Sequence, residues 1–551
     1  MTATNPEAAG RKVIFRRGPV LSPVKGATAL CVEHGRIVYA GPDIGLAPYL
    51  DGADEIVDLA GRLVTPAFVD AHVHLSQTGL RLGGLDLSCV TGRNDLLDAL
   101  SAHARKDSSP VVLGFGWDET SWADPRLPSG EELDRSAPGR AVYLARVDVH
   151  SGLVSGALIA RDPAMTGAAG WDGTGRVERD AHHRARDAAQ SLVTRARRRE
   201  AIEAALAAAA AAGIGCVHEM AAPHVNAADD LLLIEELATL RPSVEVVRYW
   251  GEHESAGGVE RARALGCVGA AGDLCADGAF GSWTAALDAA YDDKAGHAGH
   301  RYLDAEDIAD HLVACTRAGL QGGFHCIGDA ATAAVVEGLQ LAEKAVGTEE
   351  LVRSRHRLEH VELIDPALVG LLAAYGTVVS GQPAFDAEWG GRSGMYATRL
   401  GPTRALATNP WSTFRRAGVT LAFGSDSPVT PFDPWGGVRA AASHHNEAAR
   451  LTVGEAFAAH TRGGWYAAGR AESGELRAGA PATFAIWDVE GAVWDVEGPG
   501  LPDLGPGGPT PRCLRTVVNG RTVHDTGDLD GPATQAHGSG DTQAARAKDS
   551  R

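Results

Sequence analysis

The chain is short of positive charge. Its 551 residues carry 51 Lys and Arg against 70 Asp and Glu, a formal net charge of -19. Nucleic acids and anionic membranes are bound through basic patches, so this balance argues against both as partners. Cysteine is sparse and unpaired in pattern. The eight residues, at 31, 89, 216, 267, 275, 315, 326 and 513, form no Cys-x-x-Cys pair, which excludes a zinc ribbon or a thioredoxin motif. Scattered thiols of this kind fit a reducing compartment. Long apolar runs are missing too. The opening "MTATNPEAAGRK" has no apolar centre, so no signal peptide is expected. The stretch "AIEAALAAAAAAGIG" (201–215) is too short to span a bilayer, and its alanines favour a buried amphipathic helix. The expectation is a cytoplasmic protein with a small-molecule substrate and no membrane partner; the assembly is left open, with a homodimer compatible.

What is present is ample core material, 44% hydrophobic over a length that exceeds one small domain. Short β-like runs occupy residues 12–63, with His34-Gly35 as a candidate hairpin turn. The same texture returns over 478–525, where Asn519-Gly520 is a strong hairpin signal. The two ends therefore pair into one small sheet domain. Residues 529–551 lack periodic apolar positions and are expected to be disordered.

Between them, over 64–477, eight apolar runs alternate with helical patterns: "RLVTPAFVDAH", "GIGCVHE", "VEVVRYW", "AAGDLCADG", "LQGGFH", "RHRLEH", "GTVVSG" and "GVTLAFGSD". One such helix, 304–319, has Asp304 as its N-cap and Gly319 as its C-cap. Eight strands alternating with helices predict a parallel (β/α)8 barrel. A long insertion, roughly residues 80–200, follows the first strand and is expected to cover the site.

His72 and His74 lie two apart at the end of the first barrel strand, so they face the same side. Barrel enzymes place their chemistry at that end. Asp70 offers an acceptor for an imidazole N–H. Taken alone a His-x-His pair is a weak signal. His325, His360 and Asp426, however, each end a different run. Buried imidazoles and carboxylates cost stability unless paired or metal-bound, and this donor set suits zinc or another borderline divalent ion.

At this point the motifs "VTPAFVDAHVHL", "HCIGDAA", "RLEHVEL" and "GSDSPV" resemble those of the amidohydrolase superfamily. "GFGWDET", "RVDVHSGLVSGAL", "DGAFGSWTAAL" and "SGQPAF" bring the resemblance to its amidohydrolase 3 branch, which includes N-substituted formamide deformylases. The resemblance runs from about residue 12 to 525. It implies a distorted (β/α)8 barrel, a small β-sandwich from both termini, and a metal-dependent hydrolase of a non-peptide carbon–nitrogen bond, such as an N-acyl or N-formyl amide. It also implies His72 and His74 as metal ligands, Asp426 as ligand and proton acceptor, and His325 and His360 as ligands of a second ion where there are two. His150 is expected to face substrate, and either the metal or His150 to polarise its carbonyl.

One position departs from the branch. Many members carry a lysine, carboxylated to bridge two metals, four residues before an Asp-Gly pair. Here the pair is Asp277-Gly278, and Asp273 stands in the lysine's place. Either Asp273 bridges from a shifted backbone, or Glu219 substitutes, or a single zinc is held by His72, His74, His325 and Asp426 while His360 orients the water. One zinc is the expectation. The missing lysine leaves a mononuclear zinc deaminase releasing ammonia as the alternative, and an inactive metal-binding scaffold as a third reading. Trp117 and Asp277 are expected at the substrate pocket, Asp277 and Ser282 in the ordering of the loop after strand four, and His218-Glu219 near the site. His182-His183 and His444-His445 are expected to be solvated.

Overall fold

The computed structural model describes residues 11–107, 109–489, 500–505 and 507–530. Its centre is an eight-stranded parallel sheet: β1 (Phe68–Val73), β2 (Ile214–Ala221), β3 (Glu245–Trp250), β4 (Gly269–Ala270), β5 (Gln321–Cys326), β6 (Arg357–His360), β7 (Val378–Gly381) and β8 (Thr420–Phe423). They pair in chain order, and each overlaps one of the eight apolar runs. Almost every residue of β1, β2 and β5 to β8 is buried, as expected for a parallel sheet covered on both faces. Beyond the named strands, Val73 and Ser427 form a parallel bridge. There Asp426 N donates to His72 O (2.8 Å) and His74 N to Ser427 O (2.8 Å), which nearly closes the barrel.

Helices form the outer layer. Ala305–Ala318 starts at Asp304, whose carboxylate accepts from Asp307 N, and ends at Gly319 with φ 69°. The alanine-rich segment is the helix Arg195–Ala211, which buries Ile202, Ala205, Leu206 and Ala209. Phe68, at the start of β1, sits edge-on to Trp435 of an outer helix (4.9 Å) and to Trp487 of the terminal domain (5.7 Å). Such pairs contribute roughly 0.5–1.5 kcal/mol each beyond area burial. They anchor the strand that presents His72 and His74.

The two ends form two four-stranded sheets. One contains Lys12–Arg16, Ala29–Glu33, Arg36–Gly41 and Glu55–Asp58; the other contains Leu63–Pro66, Phe484–Asp488, Arg512–Val518 and Arg521–Asp525. Both expected hairpins are present. His34 and Gly35 have φ 51° and 75°, and Asn519 and Gly520 have 49° and 76°, the positive pair a type I′ turn requires. Leu529 of the proposed tail is buried in a short 3-10 turn, Asp528–Asp530; residues 531–551 lie outside the described residues.

The insertion is a structured body rather than a loop. It contains a five-stranded sheet with the strands Leu85–Asp86, Val111–Trp117, Ala141–Arg146, Ser151–Val154 and Arg176–Glu178 in spatial sequence. No helix among the described residues is long and apolar enough to cross a membrane. All eight cysteines are free thiols.

Candidate metal centre

The exits of β1, β4, β5, β6 and β8 converge on one buried cluster. His72 Nε2 lies 3.4 Å from Asp273 Oδ1 and 3.5 Å from Asp426 Oδ1. His74 Nε2 lies 3.3 Å from Asp273 Oδ2 and 3.2 Å from Asp426 Oδ1. The His325 ring centroid is 4.4 Å from that of His360, and His325 Nδ1 is 3.9 Å from Asp273 Oδ1. Among the described residues, two groups have donor atoms close enough to hold one ion: His72, His74 and Asp426; and His72, Asp273 and His360.

Three observations show that this donor set fits a divalent cation. First, His72 Nε2, His360 Nε2 and Asp273 Oδ1 are buried with no hydrogen-bond partner, a costly state unless something else satisfies them. Second, ligand atoms about 2.1 Å from a shared tetrahedral ion lie about 3.4 Å apart, which matches the 3.2–3.5 Å separations. Third, the charges demand a cation. Burial works against a protonated His72, yet Asp426, Asp273 and Glu359 around it hold its pKa well above the ordinary value. His360 and His325 are held down, first by burial and then, for His360, by the neighbouring imidazoles, so each keeps a neutral ring with a free lone pair.

Partners behind the cluster set which nitrogen faces it. His72 Nδ1 lies 2.9 Å from Glu359 Oε2 and His360 Nδ1 lies 2.8 Å from Gln382 Oε1. Donation at Nδ1 leaves both Nε2 lone pairs pointing inward. Glu359 is itself paired with fully buried Arg357, which also donates to Ala71 O. Asp70 does not serve the imidazole as expected: its Oδ1 accepts from the His72 and Ser425 backbone N–H groups and so fixes the β1–β8 seam. The "RLEH" motif carried the signal for Glu359, since a charged Arg-x-Glu inside an apolar strand requires a buried use. Gln382 carried none. His360 and Asp426 have φ 69° and 55°, conformations non-glycine residues adopt at a cost and retain mostly at functional sites.

Asp273 reaches the cluster because its strand stops early. β4 ends at Ala270, Gly272 turns the chain with φ 90°, and the Asp273 carboxylate then enters between His72 and His74. Glu219 is held elsewhere: its Oε2 accepts from Leu75 N (2.7 Å) and its Oε1 from Asn226 Nδ2 (2.9 Å), and burial lifts its pKa to about 7. His218 Nδ1 faces Arg357.

His150 comes from the insertion, its ring 5.1 Å from that of His325, with a pKa pushed down to about 3 by burial and then by His325. It lines two cavities that flank the cluster. Two expected pocket residues lie elsewhere. Trp117 is fully buried in the core of the insertion, donating to Leu144 O, because its strand lies between two others in that sheet. Asp277 is fully buried and accepts from Ala286 N, Ile327 N and Gly328 N, so it orders the loops rather than meeting substrate. Ser282 fits its expected loop role, donating to Asp148. The polar texture around two histidine pairs also misled. His182 is buried against the Tyr143 hydroxyl (2.8 Å) and His183 is half-buried; His444 is buried beside Asp386 (3.4 Å), and only His445 is exposed.

An α/β barrel with this donor set and a terminal β-domain defines a class, and the chain belongs to it: the amidohydrolase family model matches residues 55–524. Among curated proteins, "Putative amidohydrolase YtcJ" of Bacillus subtilis (strain 168) is 28% identical over 473 residues, 79% of this chain and 85% of that protein. The N-substituted formamide deformylase of Arthrobacter pascens is 23% identical, over 84% and 90%. Among solved structures, an uncharacterized metal-dependent hydrolase from Pyrococcus furiosus shares the fold with a TM-score of 0.69 and 24% identity, covering 86% of this chain and 98% of its own.

Proposed function

We propose that this protein hydrolyses a non-peptide carbon–nitrogen bond of a small molecule, an N-acyl or N-formyl amide, using one zinc ion held by His72, His74, Asp426 and Asp273. The observation that carries this reading is the set of partnerless buried Nε2 and Oδ1 atoms, ringed by carboxylates, at the strand exits. The formamide deformylase among its relatives supports the amide as substrate class. A zinc ion, when bound, supplies a Lewis acid and lowers the pKa of water from about 15.7 to roughly 7.

The chain's own groups do the rest. Asp426, bordering both His72 and His74, takes the proton of the attacking water and returns it to the departing nitrogen. His150, neutral and aimed across the cluster at His325, donates a hydrogen bond to the carbonyl oxygen as negative charge develops. His325 and His360 orient the water, His360 through its Gln382 anchor. Asp426→Asn is expected to lower turnover by about 10²–10⁴-fold while zinc stays bound; unchanged turnover refutes the role. Metal analysis is expected to find one equivalent per chain, and two would overturn the single-ion reading. Across an amide panel the expected product is carboxylate or formate; ammonia from a ring carbon would instead carry the deaminase reading, which Asp273 in place of lysine favours.

A further inference from the structure

Two cavities meet at His150, and they differ in chemistry. One is walled by Phe280, Ile327, Phe385, Trp389 and Met395 and reaches Asp426. The other mixes Phe115, Tyr143 and Val149 with Gln77, Arg186 and His224 in its walls and reaches His74 and Asp273. The cluster lies between an apolar lobe and a more polar one.

Arg186 is the feature of the polar lobe that the mechanism leaves unused. It rises from the insertion helix Arg179–Gln190, and its Nη1 and Nη2 donate to His224 O (3.2 Å) and Val149 O (2.5 Å). Those contacts fix the guanidinium at the cavity wall without neutralising it. Arg146, Arg357 and Arg399 each pair with a carboxylate; Arg186 has no such partner among the described residues. Asp187, next along the helix, is exposed, and the Asp273 oxygens face His72 and His74. The remaining neighbours, His182, His183 and His224, are held neutral, first by burial and then by the charges of Arg186 and neighbouring histidines. A fixed, half-buried guanidinium with spare N–H groups and no counter-ion is a receptor for a carboxylate.

We propose that Arg186 binds a carboxylate on the substrate while the apolar lobe takes an aromatic or aliphatic arm, so that the amide between them is presented to Asp426. The substrate class is then an N-acylated compound carrying a free carboxylate, of the N-acyl amino acid type. This rests on the amide hydrolase reading above, and a binding measurement separates the two. The probes are 4-phenylbutanoate and its uncharged isostere 5-phenylpentan-2-one, neither of which can be hydrolysed, titrated calorimetrically into zinc-loaded protein. The wild type is expected to bind the carboxylate at least tenfold more tightly. Arg186→Gln is expected to erase that preference, and Arg186→Lys, which keeps the charge and guards against misfolding of the first variant, to retain part of it. A preference that survives in a folded Arg186→Gln protein would place the carboxylate elsewhere, on the metal included, and overturn the proposal. So would equal binding of the two probes by the wild type. N-acetyl and N-formyl amino acids compared with their carboxamides supply the second arm. If neither series is hydrolysed but the Arg186-dependent binding holds, the hydrolase reading fails and the anion site stands.

Discussion

The first and fourth barrel strands deliver donors to the same cluster by opposite means. β1 is six residues long, paired with β2 from Phe68 to Val73 through two register shifts, and pinned at its start by Phe68 between Trp435 and Trp487. Its histidines are long enough to reach inward from a strand that stays in the ladder to its end. β4 keeps only two residues in the ladder before Gly272 turns it. Its donor is an aspartate, several bonds shorter than the lysine found in many relatives of the branch, and it arrives at 3.3–3.4 Å because the backbone comes to it. A short ligand comes from a strand that leaves the ladder early, a long one from a strand that stays in it.

The comparison can be broken most severely at β1. His72→Ala, which removes the donor shared by both candidate ion groups, is expected to lose bound zinc and measurable turnover, read by metal analysis and amide hydrolysis. Retained stoichiometric metal would mean that His74 with the donors of β4 and β8 suffices. Behind β1, Glu359→Gln weakens the grip on the His72 ring and is expected to lower zinc affinity roughly 10–100-fold in chelator competition; an unchanged affinity would reduce Glu359 to a counter-ion for Arg357.

The effect at β4 is smaller and falls on the backbone. Gly272→Ala forces a side chain into φ 90° and sets its Cβ 2.7 Å from Met220 Sδ. It is expected to cost about 1–2 kcal/mol in urea unfolding and to loosen zinc through Asp273. The same substitution with full stability and full metal content would show that the turn is not what positions the carboxylate. The smallest effect is on pH dependence. His311 lies under β4, its Nε2 2.9 Å from Ala270 O while its Nδ1 accepts from Glu254 N, and burial pushes its pKa down to about 4. Unfolded, it titrates near 6.5, so the unfolded chain binds more protons in between. Its contribution is intact above about pH 6.5 and declines as pH falls towards 4, by at most about 1.4 kcal/mol per pH unit. His311→Gln should flatten the melting temperature between pH 7 and 5; an undiminished slope would assign the acid sensitivity to other buried histidines.

Much of the barrel was legible because buried parallel strands read as continuous apolar runs and turn residues announce themselves, as at Asn519-Gly520. The positions of His72, His74, His325, His360 and Asp426 at strand exits followed from that segmentation. The limits were tertiary. "AAGDLCADG" reads as a full strand, yet of it only Ala270 enters the ladder, with Cys275 in an isolated bridge to His325. His182 and His444 lie among polar neighbours in sequence, yet the fold buries them against the Tyr143 hydroxyl and Asp386. Trp117 looked like a pocket residue because nothing local reveals that the insertion has a sheet and core of its own. Arg186 has an ordinary helical context, and its lack of a carboxylate partner is visible only once the cavity is assembled.

The seam between the first and last barrel strands has one more consequence. Two backbone hydrogen bonds join them, from Asp426 N to His72 O and from His74 N to Ser427 O. The residues that fasten the ring are the residues to which the proposed chemistry is assigned. The protein therefore has no way to open its barrel there while keeping a competent centre. Closure of the ring and assembly of the catalytic apparatus are one event, and a ligand that draws His72, His74 and Asp426 together acts as the clasp on the whole circumference.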